Sequence, residues 1–85
     1  MARYEIEFKQ SVDKDVRGIP ASDLRKILQR IDALRDEPRP PGSVKLAGEP
    51  YHRIRQGDYR IVYEIQDTKL VILVIKVGHR REVYR

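Results

Sequence analysis

A two-residue turn signal constrains the fold of this chain more than any other feature. Gly57-Asp58 separates two runs, 51–56 and 59–66, that alternate in polarity and are rich in β-branched and aromatic residues. Glycine at the first of two turn positions is typical of a type II′ β-hairpin turn. The turn also fixes the register of the two strands. It places Gln56 opposite Tyr59, Arg55 opposite Arg60, Ile54 opposite Ile61, Arg53 opposite Val62 and His52 opposite Tyr63.

Two helices are predicted before the hairpin. Residues 3–8 first alternate polar with apolar side chains, as in a strand whose two faces differ. A short helix then begins with Ser11 as a candidate N-cap and ends at Gly18. A longer helix is predicted over 22–36, with Ser22 as its N-cap. Its buried stripe has the spacing of one helical face and consists of Leu24, Ile27, Leu28, Ile31 and Leu34.

Further strands complete the predicted sheet. Residues 44–46 are a candidate short edge strand, and residues 70–77 form a strand by their β-branched content. The run 70–75 is apolar at every position, which is typical of a central strand covered on both faces. The sequence therefore predicts an α+β fold of β-α-α-β-β-β order. Two N-terminal helices pack on one face of a small, mainly antiparallel twisted sheet.

The length and composition limit the class of protein. Eighty-five residues support one modest core, so residues 1–85 are expected to be a single domain. The absence of cysteine argues against disulfides and thiolate zinc sites, and two histidines make a poor metal site. No apolar run approaches the roughly 20 residues of a membrane-spanning helix, and the N-terminus has no signal-peptide pattern. We therefore expect a soluble, cytoplasmic protein without metal, cofactor or membrane association.

Positive charge is concentrated in the second half of the chain. The formal net charge is +5. Residues 50–85 carry 8 basic and 4 acidic side chains, whereas residues 1–49 carry 10 basic and 9 acidic ones. A basic balance of this kind favours anionic partners. The second half is therefore expected to be the binding half.

The arginines of the hairpin would repel one another. In the expected register Arg55 directly faces Arg60, and Arg53 lies on the same side. Like charges opposite each other destabilise a strand pair. Either a bound anion or ordinary surface pairs with Glu64 or Glu82 would offset the repulsion, and charge alone leaves both explanations open.

The C-terminal tail adds groups that suit a phosphate. His79 can titrate near neutral pH, Arg80 can hold phosphate oxygens in a bidentate manner, and Tyr84 can stack on a base. Each of them alone has an ordinary structural explanation. Together with the hairpin arginines they favour a cleft for polyanionic phosphate, and RNA is the phosphate that we expect. His52 has the parity of Ile54 and is expected to face the helices, outside that cleft.

Four segments of the sequence carry a family resemblance. They are Lys45-Leu46, Tyr51-His52-Arg53-Ile54-Arg55, Gly57-Asp58-Tyr59-Arg60-Ile61-Val62-Tyr63-Glu64-Ile65 and Val77-Gly78-His79-Arg80-Arg81-Glu82-Val83-Tyr84. With them the chain resembles the RelE branch of the RelE/ParE toxin superfamily over nearly its whole length. The resemblance implies a type II toxin that enters the A site of the small ribosomal subunit and cleaves the mRNA there. It also implies a cognate RelB-like antitoxin that neutralises the toxin.

The resemblance further implies which residues act. It assigns catalysis to a set of cationic and phenolic side chains: Arg53, Arg55, Arg60, Arg80 and Tyr84. Better-known RelE proteins have lysine where this chain has Arg53 and Arg55, and arginine is a poor proton acceptor because its pKa exceeds about 12. His79 is therefore the candidate for proton transfer, as base or as acid. Lys45 and Arg81 are candidates for RNA binding.

The implied reaction needs neither metal nor cofactor. A ribose 2′-hydroxyl attacks the adjacent phosphate and leaves a 2′,3′-cyclic phosphate and a free 5′-hydroxyl. Two other classes of function stay open, because fold does not determine function. A ParE-like toxin would share the fold and inhibit DNA gyrase. A non-catalytic RNA-binding module would use the same charge without proton transfer by His79.

The second face of the predicted sheet is strongly apolar. It carries Val62, Val71, Leu73 and Ile75. A monomer rarely leaves such a patch bare. Either a helix or extended segment of an antitoxin, or the chain's own 37–50 loop and C-terminal segment, would cover it.

Overall fold

The structure, a computed structural model, describes residues 3–79, so Arg80, Arg81 and Tyr84 lie outside the described residues. The elements in this range are β1 (Glu5–Phe8), α1 (Val12–Val16), α2 (Ala21–Ala33), β2 (Val44–Lys45), β3 (Tyr51–Gln56), β4 (Tyr59–Gln66) and β5 (Val71–His79). The strands form one sheet in the order β1-β5-β4-β3-β2. Neighbouring strands are antiparallel except β1 and β5, which are parallel. The predicted α+β fold is confirmed, and β2 is its short edge strand.

The hairpin of β3 and β4 has the register that the turn predicted. All five expected pairs are present, and Tyr51 opposite Glu64 adds a sixth. Gly57 has a φ of +60°, in the left-handed region, whereas Asp58 does not adopt positive φ. This combination is that of a type II′ turn. Successive side chains of the hairpin therefore alternate between the helix side and the opposite side of the sheet.

One face of the sheet packs against both helices and forms the core. The hairpin contributes Ile54, Ile61 and Tyr63, each with no exposed surface. The other buried members are Val12, Ile27, Ile31, Leu34, Ile72, Val74 and Val77. The Tyr63 hydroxyl donates a hydrogen bond of 2.7 Å to the Pro38 carbonyl oxygen, and burial raises the pKa of Tyr63 to about 12. This bond holds the segment after α2 against the core.

The ends of the two helices differ from those that the sequence predicted. Ser11 occupies the N-cap position of α1, but its side chain makes no capping hydrogen bond. α2 begins at Ala21 with Pro20 at the N-cap position, so Ser22 lies in the first turn and is not the cap. Proline lacks an N–H and has a fixed φ, which suits it to the start of a helix. The helix stops at Ala33 instead of 36, because the following turn tightens to i→i−3 hydrogen bonds.

Leu28 was predicted to belong to the buried stripe of α2, and this prediction is wrong. It is 45% exposed, whereas Ile27, Ile31 and Leu34 are buried, and Leu24 is half-buried. At 100° per residue, Leu28 lies about 90° from the centre of the three buried positions. The stripe that faces the sheet is therefore narrower than the sequence spacing indicated.

A β-bulge interrupts β5. Val62 pairs with Lys76 while Tyr63 pairs with Val74, so Ile75 is an extra residue on β5. A bulge leaves its extra residue unpaired and reverses the alternation of the faces beyond it. Buried residues of β5 accordingly lie at even positions before the bulge and at odd positions directly after it. The strand also runs two residues past its predicted end.

Candidate active site

Three arginines share the sheet face that points away from the helices, and we call this set the arginine face. Arg53 and Arg55 lie on β3, and Arg60 lies on β4 directly opposite Arg55. The residues that alternate with them, Ile54 and Ile61, are fully buried in the core. The structure therefore brings three of the predicted site residues together on one surface.

Arg60 is the most deeply placed charge of this face. It is 3% exposed, and among residues 3–79 it is the one charged residue that is buried. Its partner on β5 is Gly78, which has no side chain to occupy the same face. Burial of an ionised group is costly unless the surrounding groups compensate it. Arg60 is therefore part of a built site and not a solvated surface cation.

Arg53 and Arg55 are more open to solvent. Arg55 is exposed and Arg53 is half-buried. The buried Arg53 Nε has no hydrogen-bond acceptor among residues 3–79, and an unpaired buried donor costs about 1–3 kcal/mol. The ion pairs within the same range use other cations. Glu64, one of the expected neutralising partners, instead accepts a hydrogen bond of 2.8 Å from Gln66 Nε2, and Glu82 lies outside the described residues.

A contact from α2 holds the end of β3. Arg30 Nε donates to the Arg55 carbonyl oxygen at 3.4 Å. Because β2 pairs with only two residues of β3, this carbonyl lies on an open edge of the sheet. The contact ties the strand that carries Arg55 to the helix. The position of Arg30 in the sequence carries no signal that distinguishes it from the other charged residues of α2.

His79 lies on the opposite face of the sheet. It is opposite Tyr59, and the two rings meet edge to face with centroids 5.7 Å apart and planes at 83°. Tyr59 packs against the core on the helix side. The structure therefore does not bring His79 to the arginine face. The bulge at Ile75 is the reason, because an unbroken alternation would have placed position 79 on the same face as Arg60.

The Tyr59–His79 pair stands between two clefts of about 250 Å³ each. Besides the ring pair, the first cleft is lined by Asp23, Lys26, Gln56, Gly57 and Asp58. The second is lined by Asp15, Gly18, Ile19 and Gly78. These helix-side clefts mix carboxylates with a single lysine. Their charge does not suit them to hold a phosphate.

Lys45 is also placed away from the arginine face. It is opposite His52 in the β2–β3 register, and its Nζ donates to the Glu49 carbonyl oxygen at 2.9 Å. His52 stacks on Tyr63 with ring centroids 5.8 Å apart, which confirms that His52 faces the helix side. Burial, together with the nearby cations Arg39 and Lys45, lowers the pKa of His52. The neutral form of this imidazole is therefore favoured in the folded protein.

Other kinds of site have little support in the described part of the chain. No group of three or more metal-ligating side chains lies together within residues 3–79. In the same range, no helix is long and apolar enough to cross a membrane. The structure thus offers two surfaces for function, the arginine face and the helix-side clefts.

Comparison with known sequences identifies the family. Residues 6–84 match the family model described as the ParE toxin of the type II toxin–antitoxin system. The mRNA interferase toxin RelE of Escherichia coli is 31% identical over 86 residues, which cover 95% of this chain and 90% of the relative. Toxin RelG of Mycobacterium tuberculosis is 28% identical and covers 96% of this chain and 97% of the relative.

Comparison with solved structures gives the same result. The chain superposes on the toxin of the archaeal RelE–RelB complex from Pyrococcus horikoshii with a TM-score of 0.82 and 30% identity, over 96% of this chain and 99% of that one. The intact E. coli RelBE toxin–antitoxin complex matches with a TM-score of 0.78 and 28% identity, over 89% of this chain and 95% of that one. The chain therefore belongs to the RelE/ParE superfamily, the toxins of type II toxin–antitoxin systems.

Proposed function

We propose that this toxin is an endoribonuclease that cleaves mRNA in the A site of the small ribosomal subunit and so inhibits translation. The observation that carries the proposal is the direct opposition of Arg55 and Arg60, with Arg53 beside them, on one face of the hairpin. Like charges in this position destabilise a strand pair, and a bound polyanion reverses the effect. The choice of anion is supported by a relative that is an mRNA interferase.

The proposed step is attack of a ribose 2′-oxygen on the adjacent phosphorus. The bond from phosphorus to the 2′-oxygen forms while the bond from phosphorus to the 5′-oxygen breaks. The 2′-hydroxyl loses its proton and the departing 5′-oxygen gains one, so a cyclic phosphate and a 5′-hydroxyl result without a metal or cofactor. Negative charge accumulates on the phosphorane oxygens in the transition state. Fixed guanidinium groups stabilise that charge through bidentate hydrogen bonds.

Burial and exposure suggest different tasks for the arginines. Arg60 is buried, so we assign it to the phosphate under attack. Arg55 is exposed and Arg53 has an unpaired buried Nε, so we assign them to the oxygens of that phosphate and its neighbours. Arg80 and Tyr84 complete the proposed catalytic set on the strength of the family resemblance.

Proton transfer in this proposal does not depend on His79. Its ring lies on the helix side of the sheet against Tyr59, away from the arginine face. Alignment of the 2′-oxygen comes largely from the ribosome, and free RNA is then expected to be a poor substrate. Arg81 remains a candidate RNA contact. Lys45 lies on the helix side and would meet a different stretch of RNA from the scissile phosphate.

We further propose that a cognate RelB-like antitoxin neutralises this toxin in the cytoplasm, where its ribosomal target is found. The related RelE toxins of P. horikoshii and E. coli were solved with RelB antitoxins. On the side of the sheet that carries the arginines, β5 presents the half-buried apolar residues Val71, Leu73 and Ile75. An amphipathic helix or an extended segment laid over this strip would also shield the arginine face.

Cleavage in a translating extract tests the proposal. The wild-type protein is expected to cut mRNA within ribosome-bound codons, and the Arg53→Ala/Arg55→Ala double variant to cut it at least about 100-fold more slowly. Arg25→Ala removes an exposed cation from α2 and is the matched control, with wild-type activity expected. Equal cleavage by the wild type and the double variant would contradict the assignment of the site. Intact mRNA after treatment with the wild type would overturn the nuclease function itself.

A gyrase inhibitor is the second candidate, because the matching family model is described as a ParE toxin. That function predicts loss of DNA supercoiling while mRNA stays intact. A non-catalytic RNA-binding module predicts RNA retention without new 5′ ends. Mapping of 5′ ends and a supercoiling assay on one preparation separate the three functions.

A further inference from the structure

We propose that Asp15 is a positioning residue that fixes the end of β5 beside the arginine face. Its catalytic consequence rests on the proposed nuclease function, whereas the contact itself rests on the structure alone. Asp15 Oδ2 accepts a hydrogen bond of 3.1 Å from the Val77 backbone N–H. A side chain of α1 thus bonds directly to the backbone of β5.

β5 needs a partner at this point because β1 is too short to supply one. The ladder between β1 and β5 ends at Phe8 opposite Val74, and the Lys9 N–H bonds to the Val74 oxygen just beyond it. β5 continues to His79 with its antiparallel ladder to β4 on the other side. A buried backbone N–H requires an acceptor. Asp15 takes the place of the missing residues of β1.

The contact is shielded from water. Val77 is 1% exposed, and the Asp15 side chain is 17% exposed. The carboxylate also lies 3.9 Å from Lys76 Nζ, but that lysine is half exposed and the pair is long. A carboxylate accepts a stronger hydrogen bond than a neutral group does. The main role of Asp15 is therefore to hold the backbone and not to form a surface ion pair.

The residue that follows Val77 connects this contact to the site. Gly78 is directly opposite Arg60 on β4. Because glycine is conformationally permissive, its position depends on the restraint of its neighbours. Without the bond from Asp15, the Val77 N–H loses its acceptor, and the last residues of β5 keep only the ladder to β4 and the packing of Val77 in the core. The position of Gly78 against Arg60 is then less restrained. Asp15 thus governs the placement of the buried arginine without contact to RNA.

Three variants test the inference with two readouts. Asp15→Ala removes the acceptor, and Asp15→Asn keeps a neutral, weaker acceptor in the same place. Asp13→Ala removes an exposed carboxylate from the same helix and is the control. For Asp15→Ala we expect kcat on ribosome-bound mRNA to fall about tenfold with KM changed less than about twofold, and amide hydrogen exchange at Val77 to become faster. Asp15→Asn should fall between Asp15→Ala and wild type, and Asp13→Ala should match wild type.

Each outcome decides a separate part of the inference. Unchanged exchange at Val77 in Asp15→Ala would overturn it, whatever the activity. Faster exchange with unchanged kcat would overturn the positioning role. If Asp15→Ala does not fold, the Asp15→Asn variant tests the inference in its place. Wild-type kcat and wild-type exchange at Val77 in Asp15→Asn would then overturn the inference. If the wild type cleaves no mRNA, the nuclease function fails, and exchange at Val77 then still decides whether Asp15 holds β5.

Discussion

The two faces of the sheet at the hairpin end differ in chemistry although alternating residues of the same strands build them. On one face Arg55 and Arg60 oppose each other, and Arg60 is followed across the sheet by Gly78. On the other face Tyr59 and His79 pack edge to face between two clefts of mixed charge. Adjacent residues in the chain therefore belong to different surfaces. Whether two side chains can act together depends on which face of the sheet their strand positions occupy, more than on how close they are in sequence.

A single extra residue sets this difference. The bulge at Ile75 moves every later side chain of β5 to the face opposite the one that regular alternation would give it. His79 consequently joins the helix side, and Gly78 joins the arginine face. The bulge thus places a residue without a side chain opposite the buried Arg60. Substitutions on either face test whether the two faces act independently.

Removal of the buried charge should have the largest effect. Arg60→Met keeps a long side chain but removes the guanidinium, and single-turnover cleavage on programmed ribosomes should fall by about 100- to 1,000-fold. Arg60→Lys should restore only part of the rate, because an ammonium group cannot make a bidentate contact. Thermal unfolding of both variants is the control for folding. A rate near that of the wild type for Arg60→Met would mean that the arginine face is not catalytic.

A core substitution between two arginines should lower the stability of the fold and leave the cleavage rate unchanged. Ile54 lies between Arg53 and Arg55 but is fully buried on the helix side. Ile54→Ala should lower the free energy of unfolding by about 2–5 kcal/mol. Urea unfolding measures this loss, and cleavage measured below the unfolding transition should stay close to that of the wild type. Loss of activity without loss of stability would show that the two faces are not independent.

The helix side should also contribute to the pH dependence of stability. Burial, and then Arg39 and Lys45, lower the pKa of His52 below its ordinary value of 6.5. As the pH falls below about 6.5, the unfolded chain therefore binds more protons than the folded protein. The contribution of His52 is complete above that pH and is lost as the pH falls toward the lowered pKa. Urea unfolding between about pH 7.5 and pH 5 should show this loss, and His52→Gln should remove it. An unchanged pH dependence in His52→Gln would contradict the assignment.

The smallest effect is expected at His79. Because its ring packs on Tyr59 and not on the arginine face, His79→Gln should change the cleavage rate by less than about threefold. The pH dependence of the rate should keep the shape that it has in the wild type. A fall of about 100-fold would instead place His79 in catalysis.

The hairpin could be predicted from sequence because its signal is local. Gly57 at the first turn position selects one turn type, and that turn fixes every pair of the two strands. The shared face of the arginines followed directly. The burial of Arg60 did not, because its depth depends on packing across the sheet. His52 was placed correctly by the same parity argument.

The bulge and the contacts between elements could not be predicted. The run 70–75 is apolar at every position, so it contains no alternation whose interruption would reveal Ile75 as an extra residue. Asp15 meets Val77 from 62 residues away in the chain, and no local pattern records that contact. Leu28 failed for a related reason, because its burial depends on how α2 meets the sheet. Ser22 failed for a local reason, because Pro20 suits the start of a helix and α2 begins one residue earlier than predicted.

The parallel pairing of β1 with β5 affects the order in which this protein can fold. Glu5 is aligned with Val71, so β1 waits for a strand that is made 66 residues later. At roughly 5–20 residues per second, the intervening chain takes about 3–13 s to appear. During that interval the nascent toxin has no completed sheet. β1 therefore reaches its place in the sheet only once β5 has been made.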